Sequence, residues 1–123
     1  MRHSLIIAAA AVLSAPATLS AQVAPPTGAE ADLECVVFTS IAFEQVPEGS
    51  AKLGMAAAVA YFVGRYEAQR GTEGMDQAIV ERFSTITEEE FKAIQSRCVP
   101  RMEAMSKRLQ AVGNSLIQAG KGQ

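Results

Sequence analysis

Thr87-Glu88-Glu89-Glu90-Phe91-Lys92-Ala93-Ile94-Gln95-Ser96-Arg97-Cys98-Val99-Pro100-Arg101-Met102, continued to Leu116, carries one pattern from end to end. Phe91, Ile94, Cys98, Met102, Met105, Leu109, Val112 and Leu116 recur at steps of three or four residues, a mean close to the helical period of about 3.6. Thr87 followed by Glu90 matches the capping box, in which each side chain satisfies a free backbone donor at a helix start. Glu88, Glu89 and Glu90 stand in that first turn, where the helix dipole favours negative charge. The stretch therefore predicts a long last helix with one continuous apolar face. Pro100 removes a backbone donor and crowds the carbonyl four residues back, so the helix is expected to be kinked or broken near Cys98-Val99-Pro100.

Working outward, three further helical patterns precede it. A first helix is expected from about Ala29 to Gln45, opened by a second capping-box match, Thr27 with Glu30, and stopped at Pro47-Glu48-Gly49. Its apolar residues are Leu33, Val36, Val37 and Ile41, broadened by Phe38 and Phe43. Ser50 reads as the N-cap of a second helix to Gln69, whose alanines leave little polar surface and suggest a central position. Ala56, Ala60 and Gly64 form a small-residue stripe there; tight packing is the expected reason for Gly54 and Gly64, each of which costs about 1 kcal/mol of helix propensity relative to Ala. A short third helix from Met75 to Ser84 should turn Ile79 and Phe83 inward. No long alternation of period two indicates a strand, so the fold class is all-α: a compact bundle of four or five helices.

The front of the chain has a different character. Met1-Arg2-His3 and the apolar run from Leu5 follow the layout of a secretory signal peptide, with cleavage expected after Ala21. The run to Ala17 is shorter than the roughly 18 to 20 residues that cross a bilayer, and no cysteine follows the cleavage region as a lipoprotein would require. The expected organisation is a signal peptide over 1–21, a flexible leader over 22–28, a single helical domain over 29–119 and a disordered tail over 120–123. The expected location is the periplasm or the secreted fraction. In that oxidising setting Cys35 and Cys98, the only cysteines, read as one structural disulfide closing the first helix onto the last. The alternatives are free buried thiols, a bond between chains, or a redox pair, although redox pairs usually stand two residues apart at a helix start.

Charge and chemistry narrow the function classes. From Gln22 to Glu90 there are twelve acidic and four basic residues, and from Phe91 onward six basic and one acidic. The halves are expected to neutralise each other across the fold; the alternative is a basic last helix facing an anionic surface. The overall balance is too mild to imply nucleic acid. The only histidine, His3, lies ahead of the expected cleavage site, so the mature chain lacks the commonest general base and half of a usual zinc set. No enzyme activity, metal or cofactor is expected. Glu30 with Glu34, and Glu44 with Glu48, stand one helical turn apart, as solvated helix faces commonly arrange. Tyr61-Phe62-Val63-Gly64-Arg65-Tyr66 sets an arginine beside two tyrosines; Arg65 is expected to pair with an acid such as Glu34 or Glu44, or to hold an anionic ligand in a bidentate contact. Arg97, Arg101 and Arg108 line one flank of the last helix's stripe, and with Arg65, Tyr61 and Tyr66 they are the candidate anion or partner contacts.

The signal segment, Cys35, the alanine-rich helix with Tyr61-Phe62-Val63-Gly64-Arg65, and Cys98 before a basic end resemble small uncharacterised exported two-cysteine helical proteins of alphaproteobacteria. At the level of layout the chain also resembles periplasmic acid-stress chaperones of the HdeA type, which implies a small helical protein with one disulfide between distant helices. The expected function is a non-enzymatic interaction protein of the cell envelope, stress- or chaperone-related in one form, with another envelope protein as partner. The competing expectation is an inhibitor or immunity-type partner of a secreted enzyme.

Overall fold

The computed structural model describes residues 24–122; the expected signal peptide lies outside them. Four helices follow one another: α1 (Gly28–Gln45), α2 (Ser50–Arg70), α3 (Met75–Thr85) and α4 (Glu88–Lys121). They form an all-α bundle with a long last helix, braced by a disulfide between Cys35 and Cys98 whose Cα atoms lie 5.5 Å apart.

The hub of the bundle is α1, not α2 as the alanine content suggested. It packs against each of the other three helices, which touch one another sparsely. The reason lies in side-chain size and placement. Cys35, Val36, Val37 and Phe38 are consecutive, so they point around most of the helix and need neighbours on every side. The alanines of α2 are apolar but small and give that helix little to bury, and only Ala58 and Phe62 are buried there. Gly54 and Gly64 face open space, which corrects the expectation of close packing along their stripe.

The core joins Cys35, Val36 and Phe38 of α1 to Phe62, Met75, Ile94 and Cys98, with Tyr66, Ile79, Ile86, Phe91 and Met102 packed at its edge. Burying side chains such as Phe62 and Ile94 contributes about 1.5 to 3 kcal/mol each before ordering costs. Thr39 is fully buried among them, and its hydroxyl donates to the Cys35 carbonyl at 2.7 Å. Phe83, expected to point inward, is 58% exposed; Met75, Ile79 and Arg82 form the inner face of α3 instead.

The helix ends divide the capping expectations. At α4 the Thr87 hydroxyl accepts from the Glu90 N–H at 3.2 Å, and the Glu90 carboxylate accepts from the Thr87 N–H at 2.9 Å, a complete capping box. At α1 Thr27 makes no side-chain cap, because Glu30 is drawn to Arg70 across the bundle. Ser50 is the first residue of α2, and Gly49 at φ 121° takes the capping position, a conformation open chiefly to glycine. Pro100 lies inside α4, which runs through it as one helix to Lys121. It sits on the solvent side, where water can hydrate the carbonyl it frees.

Pairs between α1 and α4 fix their directions. Phe38 meets Phe91 with ring centroids 5.7 Å apart, Cys35 bonds Cys98, and Asp32 meets Arg101, so the two helices run antiparallel. Continuing past Met102, α4 outruns the start of α1, and from Met102 to Lys121 it spans roughly 30 Å. The apolar stripe continues with it. Phe91, Ile94, Cys98 and Met102 pack into the body, whereas Leu109, Val112, Leu116 and Ile117 are exposed, Leu116 at 69%.

Candidate functional site

Two acids of α1 organise the charged groups. Asp32 is fully buried, on the same helical face as Cys35, Val36 and Thr39. Its carboxylate accepts from Arg65 Nε at 3.0 Å, from Gln69 Nε2 at 2.8 Å and from Arg101. Burial pushes this carboxyl up, but hydrogen bonds from Arg101 and Arg65, reinforced by their charges, outweigh it and hold it below the ordinary value. Glu34, on the other side of α1, is bound by Arg82 at 2.7 Å and Arg97 at 2.6 Å. These two carboxylates thus tie α2, α3 and α4 to α1, and no buried side-chain polar atom among the described residues lacks a partner.

The glutamates expected on solvated helix faces divide, because Glu34 is buried whereas Glu30, Glu44 and Glu48 are exposed. Glu30 pairs with Arg70, Glu34 with its two arginines, and Glu48 with Lys52, while Glu44 is exposed. The Glu30 carboxyl is held low by its own backbone N–H and then by Arg70. Among the described residues no group of three His, Cys, Asp or Glu side chains is placed to hold a metal ion.

The six candidate contacts separate into three settings. Arg97 and Arg101 are spent on the acids of α1; Arg101 also donates to the Ala31 carbonyl at 3.2 Å and to Cys35 Sγ at 3.3 Å, and lies 4.8 Å over the Phe62 ring. Tyr66 packs at the edge of the core. Tyr61, Arg65 and Arg108 meet at an open groove of about 460 Å³ between α2 and α4, with Ala104, Met105, Leu109 and Val112 as the α4 side. Arg65 spends only its Nε on Asp32, stands 5.7 Å from the Tyr61 ring, and keeps 46% of its side chain exposed. The Asp32 hydrogen bond stabilises its charged form and raises its pKa, outweighing the opposing effect of burial; the Asp32 charge and Tyr61 reinforce the rise. Arg108 forms no ion pair among the described residues.

The groove therefore has an apolar floor and two guanidinium groups with free donors on its rim. It can hold an apolar surface edged with carboxylates, and it brings no nucleophile and base together. Sequence reasoning placed Arg65 against α1 correctly but named Glu34 or Glu44 as its partner. The signal for Asp32 was its spacing: it precedes Cys35 by three residues, Val36 by four and Thr39 by seven, the positions of one buried stripe. Gln69 carried no comparable signal.

Among the described residues no helix is long and apolar enough to cross a membrane. The chain matches no protein-family model, no curated protein and no solved structure.

Proposed function

We propose that this protein is a non-enzymatic interaction protein of an exported compartment, periplasmic or secreted, that binds a partner protein through the projecting half of α4. The observation that carries this reading is the apolar stripe of α4, which continues past the start of α1 through Leu109, Val112, Leu116 and Ile117, all of them more than half exposed. Large apolar side chains in an uninterrupted row on a surface helix mark interaction surfaces more often than they mark chance exposure. The disulfide and the arginine clamps on Asp32 and Glu34 fix the base of this helix, so the stripe is presented on a rigid mount and little ordering opposes binding.

The test is capture from envelope extract with the oxidised protein as bait, beside Leu109→Asp and Val112→Asp variants. Both positions are more than half exposed, so the variants should melt within about 0.5 kcal/mol of wild type. A stoichiometric protein captured by wild type and lost with both variants supports the reading; capture of nothing, or of the same proteins by all three baits, overturns it. A secreted hydrolase as that protein would turn the reading to an inhibitor. The chaperone form requires more: apolar dye binding and suppression of client aggregation below pH 3, and it fails if the acidified protein does neither.

A further inference from the structure

We infer that the groove between α2 and α4 seats an amphipathic helix of the partner protein, with carboxylates along the helix edge that faces Arg65 and Arg108. This rests on the interaction reading above and specifies the chemistry of the partner. The apolar positions Met105, Leu109, Val112 and Leu116 are spaced four, three and four residues apart, so they form a straight ridge along α4. A second helix with apolar residues at the same spacing packs such a ridge into its own groove.

Charge selects among the possible occupants. On the helical surface Arg101 and Arg108 fall on the flank of the stripe that faces Arg65 and Tyr61, while the opposite flank carries Ser106, Gly113 and Ile117. Lys107 and Lys121 lie on the back of the helix, away from the stripe. An anionic membrane would thus meet one basic edge and one neutral edge, whereas a basic amphipathic helix lying on a bilayer uses both. A second copy of this chain is also disfavoured. Its projecting segment offers Lys107, Arg108 and Lys121 against Glu103 alone, so pairing two such segments brings like charges together. A helix with acids on one edge satisfies both the ridge and the free donors of Arg65 and Arg108, and bidentate guanidinium–carboxylate contacts would set its direction.

The probe is a fluorescently labelled synthetic helical peptide of eighteen residues, with leucines at three- and four-residue spacing and glutamates along one edge. Its control carries lysines in place of the glutamates. Fluorescence anisotropy with the oxidised protein should show saturable binding of the acidic peptide, at least tenfold tighter than the control. Arg108→Glu should reverse that preference, and Leu109→Asp should abolish binding of both peptides without changing the helical circular dichroism. Equal affinity for the two peptides, no binding of either, or an unchanged preference in Arg108→Glu overturns the inference. So does a concentration-dependent dimer that Leu109→Asp dissolves, or sedimentation with phosphatidylglycerol vesicles that depends on Leu109. Capture of a protein partner that requires Leu109 but is unaffected by Arg108→Glu leaves the interaction reading standing and removes only this one.

Discussion

Asp32 is a carboxylate with no exposed surface, and three donors from two helices converge on it. Removing one partner of a buried ion pair leaves the remainder uncompensated, at a cost of several kcal/mol. Arg65 and Arg101 keep 46% and 30% of their side chains exposed, so water can partly replace what they lose. Asp32→Asn is therefore expected at the low end, a loss of about 3 kcal/mol at neutral pH, read by urea denaturation. Its pH dependence has a definite sign. Because the folded carboxyl lies below its ordinary value of 3.8, the stabilisation is full above that value and disappears as pH falls through the lower folded value. The difference between wild type and Asp32→Asn should accordingly shrink as pH drops below 3.8, and a difference that stayed constant from neutral pH to pH 2 would show that the Asp32 charge contributes nothing. The charged groups facing this carboxylate are Arg65 of α2 and Arg101 of α4, both of which remain protonated throughout that range.

Helix ends and helix faces show what a linear reading can reach. Thr87-Glu88-Glu89-Glu90 forms the expected box because no long-range partner competes for Glu90 strongly enough; Arg82 approaches it only to 3.7 Å. The same motif at Thr27 fails because Glu30 has Arg70 within reach, a contact between residues forty apart that local spacing cannot reveal. The last helix was legible in its start, period and apolar face, and Pro100 left its continuity open. Where the stripe stops being core was not legible, since that depends on where α1 begins alongside it. Of the groove, Arg65, Tyr61 and Arg108 stood out by type, but their meeting with Met105 and Leu109 depends on how α2 lies against α4. Gly64 illustrates the same limit: glycine in a helix suggested close packing, yet an added Cβ would touch nothing within 4 Å. Gly64→Ala should then stabilise the protein by about 0.5 to 1 kcal/mol through helix propensity, and Gly54→Ala likewise. Thermal denaturation would show this, and a lowered melting temperature for either variant would mean that the position has less room for a side chain than the open space around it indicates.

At the scale of the whole molecule, the disulfide and the arginine clamps hold the same joint. The bond spans a sequence separation of 63 residues, for which the chain-entropy account gives about 4 kcal/mol, a large share of the 5 to 15 kcal/mol typical of a domain. Replacing both cysteines by serine should lower the melting temperature by roughly 20 °C, at about 4 to 8 °C per kcal/mol for a domain of this size. Arg101 makes the two devices interdependent. Its guanidinium donates to Asp32, to the Ala31 carbonyl and to Cys35 Sγ, so it is positioned by the bond and by the buried acid together. Losing the disulfide frees α4 to shift along α1, and once it has shifted the Asp32 pair has less left to lose. Asp32→Asn should therefore cost less in the protein without the disulfide than in the oxidised one. A double-mutant cycle should give a coupling of about 0.5 to 3 kcal/mol, the range found for groups that share a partner. Costs that add to within about 0.3 kcal/mol would mean that brace and clamp act independently, and that Arg101 does not link them.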